Sequence, residues 1–172
     1  EVTAYASKVT GMQIQVERID LRFPLNLLVR GVEVIQQPDT LLSLESLNVR
    51  VQAWPLIKGK VEVDEVTLNR VAVNSANMIE GMQIQGVLGH FFLQSHGVDL
   101  SNEIAVINQA ELSDTHVQLL MNDTTTTPKD TTASAPINWK VDLHQLKLKN
   151  VSFSMQLPAD SMRMAAHIGE VA

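Results

Sequence analysis

One spacing of apolar residues recurs along this chain and constrains its fold more than any other feature. It reads apolar, any, apolar, any, any, apolar, any, apolar, as in Leu42, Leu44, Leu47 and Val49. Side chains of a β-strand alternate between two faces, so the two-residue steps indicate strands, whereas the same positions spread around a helical wheel. Copies occur at 14–21, 27–34, 42–49, 61–73 and 141–153, with a weaker copy at 105–117. The repetition predicts a curved, repetitive antiparallel sheet with one long apolar face.

The two-residue gap inside the motif affects which face of the sheet the side chains on either side of the gap occupy. Strict alternation would place Val61 and Val63 on one face of a strand and Val66 and Leu68 on the other. Two arrangements would keep all four side chains in one apolar interior. Either each strand is bulged and curved with a single apolar face, or each strand crosses between two sheets at the gap.

The composition is that of a folded globular chain rather than a nucleic-acid-binding one. Of the 172 residues, 45% are hydrophobic and 19% are charged, which excludes wholesale disorder. The net charge is −6 without a run of Lys or Arg, and aromatic residues make up 4% of the chain. We therefore expect no nucleic-acid partner, because both the positive surface and the stacking platform are missing.

Four segments follow from the patterning. Val2, Tyr5, Ala6 and Val9 fall at helical spacing before Gly11, so the sequence predicts a short helix over residues 1–10. Residues 11–121 are predicted to form β-sheet repeats, with a less regular stretch at 76–100. The Thr-rich segment 122–136 cannot bury a core and is predicted to be a flexible loop. Residues 137–172 are predicted to form further strands, the last of them cut short.

The sequence contains no recognisable catalytic or metal-binding motif. There is no cysteine, and the five histidines are scattered without metal-ligand spacing. Glu62, Asp64 and Glu65 lie close together, but they alternate with apolar strand residues and are expected on a solvated face. We expect a non-enzymatic protein without a metal or a cofactor.

The predicted apolar face must be shielded from water by another layer. Full burial of one Val or Leu side chain is worth about 1.5–3 kcal/mol, so leaving half of more than twenty such side chains exposed would forfeit roughly 15–30 kcal/mol. A typical domain has only about 5–15 kcal/mol of net stability. The cover could be a second sheet, as in an ordinary sandwich core, the N-terminal helix, another copy of the chain, or lipid.

Three stretches of this sequence resemble the N-terminal part of AsmA-like and TamB-like proteins of Gram-negative bacteria. The first is Thr10-Gly11 followed by Met12-Gln13-Ile14 and a strand to Leu21. The second is the turn from Pro38 and Asp39 to Ser43 that leads into Leu47, Val49 and Val51. The third runs from Trp54-Pro55-Leu56 through Gly59-Lys60 to Val61 and Val63. The segment from Ile137 to Phe153 is similar to the family's next strand unit, so the resemblance covers most of the chain.

The resemblance implies a fold, a location and a function. Such proteins are anchored in the inner membrane by an N-terminal helix and cross the periplasm as a long β-sheet folded into an open trough, or β-taco. The apolar lining of the trough is thought to carry phospholipid acyl chains between the membranes, and TamB-like members are linked to outer-membrane protein assembly through a barrel partner of the TamA type. Residues 1–10 would then continue from a membrane anchor absent from this sequence.

We therefore expect a periplasmic, non-catalytic conduit or scaffold for phospholipid. Alternatively, the segment is a sealed base of the trough without lipid, or a structural module whose edge strands pair with a protein partner. The residues expected to line the lipid groove are Val61, Val63, Val66, Leu68, Val141, Leu143, Leu146 and Leu148.

Overall fold

The fold is a single open β-sheet, seen in a computed structural model. The structure describes residues 12–23, 25–57, 62–76, 82–99, 103–121, 140–157 and 162–171. The predicted helix over residues 1–10 and the predicted loop over 122–136 lie outside the described residues. The prediction of a mainly β, curved and repetitive sheet is confirmed.

Nine strands and one short helix make up the described part of the chain. The helix, α1, spans Ala53–Ile57 and follows the third strand directly. The strands are β1 (Gln13–Arg22), β2 (Asn26–Gln36), β3 (Asp39–Val51), β4 (Val63–Asn74), β5 (Met82–Asp99), β6 (Ile104–Met121), β7 (Lys140–Leu143), β8 (Leu146–Leu157) and β9 (Met162–Val171).

The strands are hydrogen-bonded mostly in chain order. Strands β1 to β6 form an antiparallel meander, β7 and β8 both pair with β6, and β9 lies beside β8. The expectation of a wholly antiparallel sheet is wrong at one position, because β7 and β8 run parallel to β6. Parallel neighbours require a connection of about a dozen residues or more, and residues 122–139 provide that length between Met121 and Lys140.

The register explains why the apolar spacing recurs at the same phase in so many strands. Apolar residues of one strand lie opposite apolar residues of the next, so that each motif position becomes a row across the sheet. Row 1 contains Leu21, Leu27, Val49, Val66, Leu93, Ala110 and Leu146. Row 2 contains Ile19, Val29, Leu47, Leu68, Phe91, Leu112, Leu148 and Val171. Row 3 contains Val16, Val32, Leu44, Val71, Leu88, Thr115, Val151 and Ile168. Row 4 contains Ile14, Val34, Leu42, Val73, Gly86, Val117, Phe153 and Ala166.

Between rows 2 and 3, every strand of the sheet except β7 carries one residue that is left out of the ladder pairing. We call these positions the kink line. Its members are Glu17, Gly31, Glu45, Arg70, Gly89, Asp114, Asn150 and Gly169. Gly31, Arg70, Asp114 and Asn150 have positive φ, and they belong to β2, β4, β6 and β8, which all run in the same direction.

The kink line accounts for the two-residue gap between rows 2 and 3, whereas the gap between Val63 and Val66 lies beyond row 1, where the register between β3 and β4 shifts. On β2, β4, β6 and β8 the kink-line residue is in the left-handed region and interrupts the alternation of the strand, so the side chains before and after it return to the same face. The ladder keeps its register through the gap because neighbouring strands are interrupted at the same level. Of the two arrangements that the sequence left open, the structure has the first, in which the strands are kinked within one sheet.

A second interruption lies beyond row 1. On β6 the gap between Ile107 and Ala110 is opposite the break between β7 and β8, where Leu143 pairs with Ile107 and Leu146 pairs with Ala110. The amide of Ala110 donates to the carbonyl of Gln145 over 2.9 Å, so the break remains attached to β6. Strands β7 and β8 are therefore two parts of one interrupted strand.

The stretch at 76–100, which looked less regular in the sequence, contains one of the two longest strands of the sheet. Strand β5 follows the same spacing as its neighbours at Gly86, Leu88, Phe91 and Leu93, with a glycine in the first apolar position. Gly89 occupies the kink line. The prediction of irregularity was wrong because glycine at an apolar position hides the pattern.

Few side chains of the described strands are buried. Among the described residues, Leu41, Ala105 and Ala110 are the buried hydrophobic ones. The substantial contacts between described elements all join strands that are neighbours in the sheet. The described part of the chain therefore provides no second layer over the apolar rows.

Candidate functional site: the apolar face of the sheet

The rows bring two groups of the predicted lining residues together on one face. Val66 and Leu146 lie on row 1, separated by Leu93 and Ala110, although 80 positions separate them in the chain. Leu68 and Leu148 lie on row 2, separated by Phe91 and Leu112. Directly opposed residues of a sheet share a face, so the two groups form one continuous apolar surface.

The remaining predicted residues lie at the margin of this surface. Val63 pairs with Val51 and is half-buried. Val141 pairs with Ala105 and Leu143 pairs with Ile107, beyond the second interruption. Val61 lies outside the described residues.

The predicted lining residues differ in how much of each is accessible. Val141 is 58% exposed, and Leu143 and Leu146 are each 43% exposed. Val66, Leu68 and Leu148 are half-buried, because they have apolar neighbours in the strands on both sides. Side chains of β4 therefore lie within the surface, whereas those of β7 and the start of β8 lie at its margin, where each has a paired strand on one side.

Sequence reasoning missed the part of the surface that β5 contributes. Leu93 on row 1 and Phe91 on row 2 join the two predicted groups, and Leu88 continues row 3 beside them. The signal that could have identified them is the motif spacing itself, read with Gly86 in an apolar position.

Gly86 also creates a hollow in this surface. The hollow has a volume of ≈ 280 Å³, and it is lined by Val71, Val73, Ile84, Gly86, Val87, Leu88, Thr115 and Val117. The only polar side chain among these residues, that of Thr115, is buried, and its hydroxyl donates to the carbonyl of Ser113 over 3.2 Å. The hollow is therefore an apolar depression with its one hydroxyl already paired.

Large exposed apolar side chains are concentrated at one end of the sheet. Phe23, in the turn after β1, is 98% exposed, and Trp54 and Ile57 of α1 are 70% and 77% exposed. The turn and the helix lie side by side, since the amide of Val51 donates to the carbonyl of Leu25 over 3.0 Å. This apolar end adjoins row 1, which begins at Leu21.

The opposite face of the sheet carries hydrogen-bonded polar side chains. Ser46, Asn69 and His90 lie on adjacent strands next to the kink line. Asn69 Nδ2 donates to Ser46 Oγ over 3.0 Å, and Asn69 Oδ1 lies 2.8 Å from His90 Nδ1. The two faces therefore differ in chemistry, one apolar and one polar, as the alternation predicts.

The three clustered carboxylates at 62–65 are half-buried rather than fully solvated. Asp64 accepts a hydrogen bond from Gln52 Nε2 over 2.6 Å, and Glu65 forms an ion pair with Arg50 of the neighbouring strand. These contacts join β4 to Arg50 and Gln52 at the end of β3, where the register between the two strands shifts. Asp64 and Glu65 therefore have structural partners in the sheet.

Within the described ranges, no group of three or more His, Asp or Glu side chains is arranged to hold a metal ion. Among the same residues, no helix is both long enough and apolar enough to span a membrane. Comparison of the chain with protein-family models, with curated proteins and with solved structures found no match.

Proposed function

We propose that this chain is a periplasmic segment of an inner-membrane-anchored protein of the AsmA-like and TamB-like type. Its apolar face serves as a non-catalytic conduit or scaffold for phospholipid acyl chains between the two membranes, in support of outer-membrane biogenesis. A barrel protein of the TamA type is the proposed outer-membrane partner. The single observation that carries the proposal is the set of four apolar rows that cross an open sheet.

Acyl chains match this surface in chemistry and in extent. Rows 2, 3 and 4 continue from β1 to β9 and row 1 continues from β1 to β8, all without a charged side chain, so an acyl chain that moves along them stays in contact with mostly apolar side chains. Each CH₂ group removed from water contributes about 0.8 kcal/mol. An acyl chain would thus supply the cover that the described part of the chain lacks, and its movement along the rows would require no covalent chemistry.

The exposed apolar end provides a contact point with a membrane. Trp is enriched at the membrane–water interface, and Trp and Phe are typical of the apolar face of segments that lie at the boundary between headgroups and acyl chains. Phe23 and Trp54 lie beside row 1, so a phospholipid that leaves a bilayer at this end would reach the rows directly.

The proposal is tested by extracting lipid from the purified chain. We expect phospholipid to co-purify with the chain from Gram-negative membranes without detergent, and to be detected by mass spectrometry after solvent extraction. Leu146→Asp places a carboxylate on row 1 at a side chain that is 43% exposed, where it can be accommodated without unfolding. This variant should lose most of the phospholipid.

The matched control is Ala165→Asp, which introduces the same carboxylate at an exposed position of the polar face, opposite Ser154. It should retain phospholipid at the level of the unchanged chain, and circular dichroism should show intact strands in both variants. Absence of phospholipid above a matched soluble control protein would reject the conduit and favour a sealed base. Equal loss from both variants would show that lipid does not bind at the apolar rows.

A second candidate function is a structural module that pairs with a protein partner through its edge strands. The observation that favours it is that β1 and β9 each have a hydrogen-bonded neighbour on one side alone among the described strands. Unpaired backbone groups at a sheet edge can pair with a strand from another chain. Binding of a partner that persists after delipidation and after Leu146→Asp would support this function over the conduit.

A further inference from the structure

The kink line has a regular pattern of close contacts between neighbouring strands. Strands β1, β3, β5 and β9 run in one direction, and the kink-line residues of β1, β3 and β5 face those of the next strand of the sheet. Glu17 faces Gly31 in this way, Glu45 forms an ion pair with Arg70, and Gly89 faces Asp114.

Glycine in these pairs is explained by its neighbour. A Cβ atom on Gly31 would lie 2.6 Å from the Cβ of Glu17, and a Cβ atom on Gly89 would lie 2.7 Å from the Cβ of Asp114. Both distances are shorter than van der Waals contact. In these two pairs, therefore, one member carries a side chain and the other is glycine, whereas in the third pair Glu45 and Arg70 both carry side chains and form an ion pair.

Gly169 of β9 occupies the same position as Gly89 of β5. Each strand runs opposite to its preceding neighbour, which carries a kink-line residue with positive φ, Arg70 before β5 and Asn150 before β9. A Cβ atom on Gly169, however, would meet nothing within 4 Å, and the φ of Gly169 is not positive. Neither crowding nor backbone conformation in the described fold calls for glycine at this position.

Rows 2, 3 and 4 also end at β9, the strand that carries Gly169. Ile168 and Val171 are 36% and 52% exposed, whereas residues of the same rows in the middle of the sheet have a paired strand on each side. The edge strand β1 carries four charged residues, among them an Arg18–Asp20 ion pair, and such charges discourage strand addition. Strand β9 carries Arg163 and Glu170. The edge of β9 is thus less protected than the edge of β1.

We propose that the free edge of β9 accepts one further antiparallel strand from a polypeptide with the spacing of β6, whose kink-line residue carries a side chain and lies opposite Gly169. That strand supplies backbone partners for the groups of β9 that are not paired with any described strand, and it extends rows 2, 3 and 4. A lipid cannot do this, because it has no ladder of donors and acceptors. A second copy joined β9 to β9 would place Gly169 against Gly169 and leave the space at the kink line empty.

The β5–β6 pair supplies the expected register. Leu88 lies opposite Thr115 and Gly86 lies opposite Val117. Ile168 and Ala166 hold the equivalent positions on rows 3 and 4 of β9, so they should lie opposite the residues of the added strand that match Thr115 and Val117.

The test uses a labelled synthetic peptide with the sequence of residues 104–121 as the added strand, mixed with the full chain without lipid. We expect saturable binding by fluorescence anisotropy. Gly169→Val should weaken binding by about tenfold or more, because its side chain occupies the space that the peptide needs. The same variant should fold normally, since the added Cβ atom meets nothing.

Two controls locate the binding. Ala165→Val adds bulk to the same strand away from the kink line and should leave the affinity unchanged. A peptide that lacks the residue equivalent to Asp114 should bind at least about tenfold more weakly, because it can match the rows on only one side of the gap.

The chain has no cysteine, so Ile168→Cys can be cross-linked selectively. A disulfide should form with a cysteine at peptide position 115 in preference to position 116.

Equal binding by the unchanged chain and by Gly169→Val would overturn the proposal, as would cross-linking without register preference. If the unchanged chain forms a dimer in sedimentation and Gly169→Val does not, self-association of β9 with β9 would replace the proposed strand addition. The proposal extends the proposed conduit by one strand, but its peptide-binding readout contains no lipid. Failure here is therefore distinguishable from failure of phospholipid to co-purify.

Discussion

Gly89 of β5 lies directly beside Asp114 of β6 at the kink line, so close that a Cβ atom on the glycine would come within 2.7 Å of the Asp114 Cβ and 3.0 Å of its backbone oxygen. Both groups belong to positions with little freedom to move, because each strand is fixed by ladder hydrogen bonds on both sides. The glycine is therefore required by the neighbouring strand rather than by its own backbone conformation.

Gly89→Ala should destabilise the sheet. The added methyl group cannot be accommodated without moving β5 away from β6, and overpacking of this kind costs about 1–3 kcal/mol. Urea denaturation followed by circular dichroism should show the loss of unfolding free energy. Gly86→Ala is the matched control on the same strand, because its Cβ atom would lie 3.6 Å from the nearest atom. Similar midpoints for the two variants would contradict the crowding at Gly89.

Asn150→Ala should lower the free energy of unfolding by about 1–2 kcal/mol, since alanine is strained in the left-handed region and cannot replace the amide hydrogen bond. Asn150 has a φ of 51°, and its Nδ2 donates to Asp114 Oδ1 over 2.7 Å. Asn150→Gly removes the same hydrogen bond but allows the same φ, so it should be the less destabilised of the two. Thermal unfolding of both variants measures the difference, and a glycine variant as unstable as the alanine variant would rule out the backbone contribution.

The Arg18–Asp20 ion pair should be visible in the titration of the aspartate. The hydrogen bond from Arg18 holds the pKa of Asp20 below its ordinary value against partial loss of hydration, with smaller contributions from the charges of Arg18, Arg22 and Arg30. In Arg18→Gln the pKa of Asp20 should rise towards the ordinary value, which carboxyl-carbon NMR can follow. No change in this pKa would show that the pair does not persist in solution.

The lowered pKa of Asp20 also fixes the sign of a pH effect. A carboxyl group with a lower pKa in the folded state contributes stability above its unfolded pKa, and that contribution disappears as the pH falls through the folded value. Because Arg18 is largely exposed, solvent screening keeps the contribution small. The unchanged chain and Arg18→Gln should therefore converge in stability at acidic pH and differ slightly near neutrality. A difference that grows on acidification would contradict this sign.

Gly86→Leu tests the hollow in the apolar face, and the prediction depends on the proposed conduit. The new side chain has room, because the Cβ atom would make ordinary contacts with the carbonyl of His116 and with Val117 Cγ2. It should fill the hollow, leave the strands intact and reduce co-purifying phospholipid severalfold. Ala165→Leu adds comparable bulk on the polar face and should leave the phospholipid unchanged. Unaltered phospholipid in Gly86→Leu would show that acyl chains do not use the hollow.

Several features of the site could be read from single strands. The motif at 42–49 and at 61–73 gave the strands β3 and β4 and identified Val66 and Leu68 as members of an apolar face. The spacing failed at β5, where Gly86 replaces an apolar residue, and the copy at 141–153 did not show that the strand is divided into β7 and β8. The direction of pairing could not be predicted from the pattern of one strand, because the same apolar spacing is compatible with a parallel and with an antiparallel neighbour.

The sequence by itself determined that the chain forms strands with one apolar and one polar face, since alternation is a local property of the extended backbone. Only the tertiary structure decided that the gaps of different strands fall on one kink line, that β8 runs parallel to β6, and that Gly89 faces Asp114 while Gly169 faces no atom within 4 Å. These relationships depend on register between residues far apart in the chain. Register is set by backbone hydrogen bonds and close contacts between strands, and neither is encoded in the spacing within any one strand.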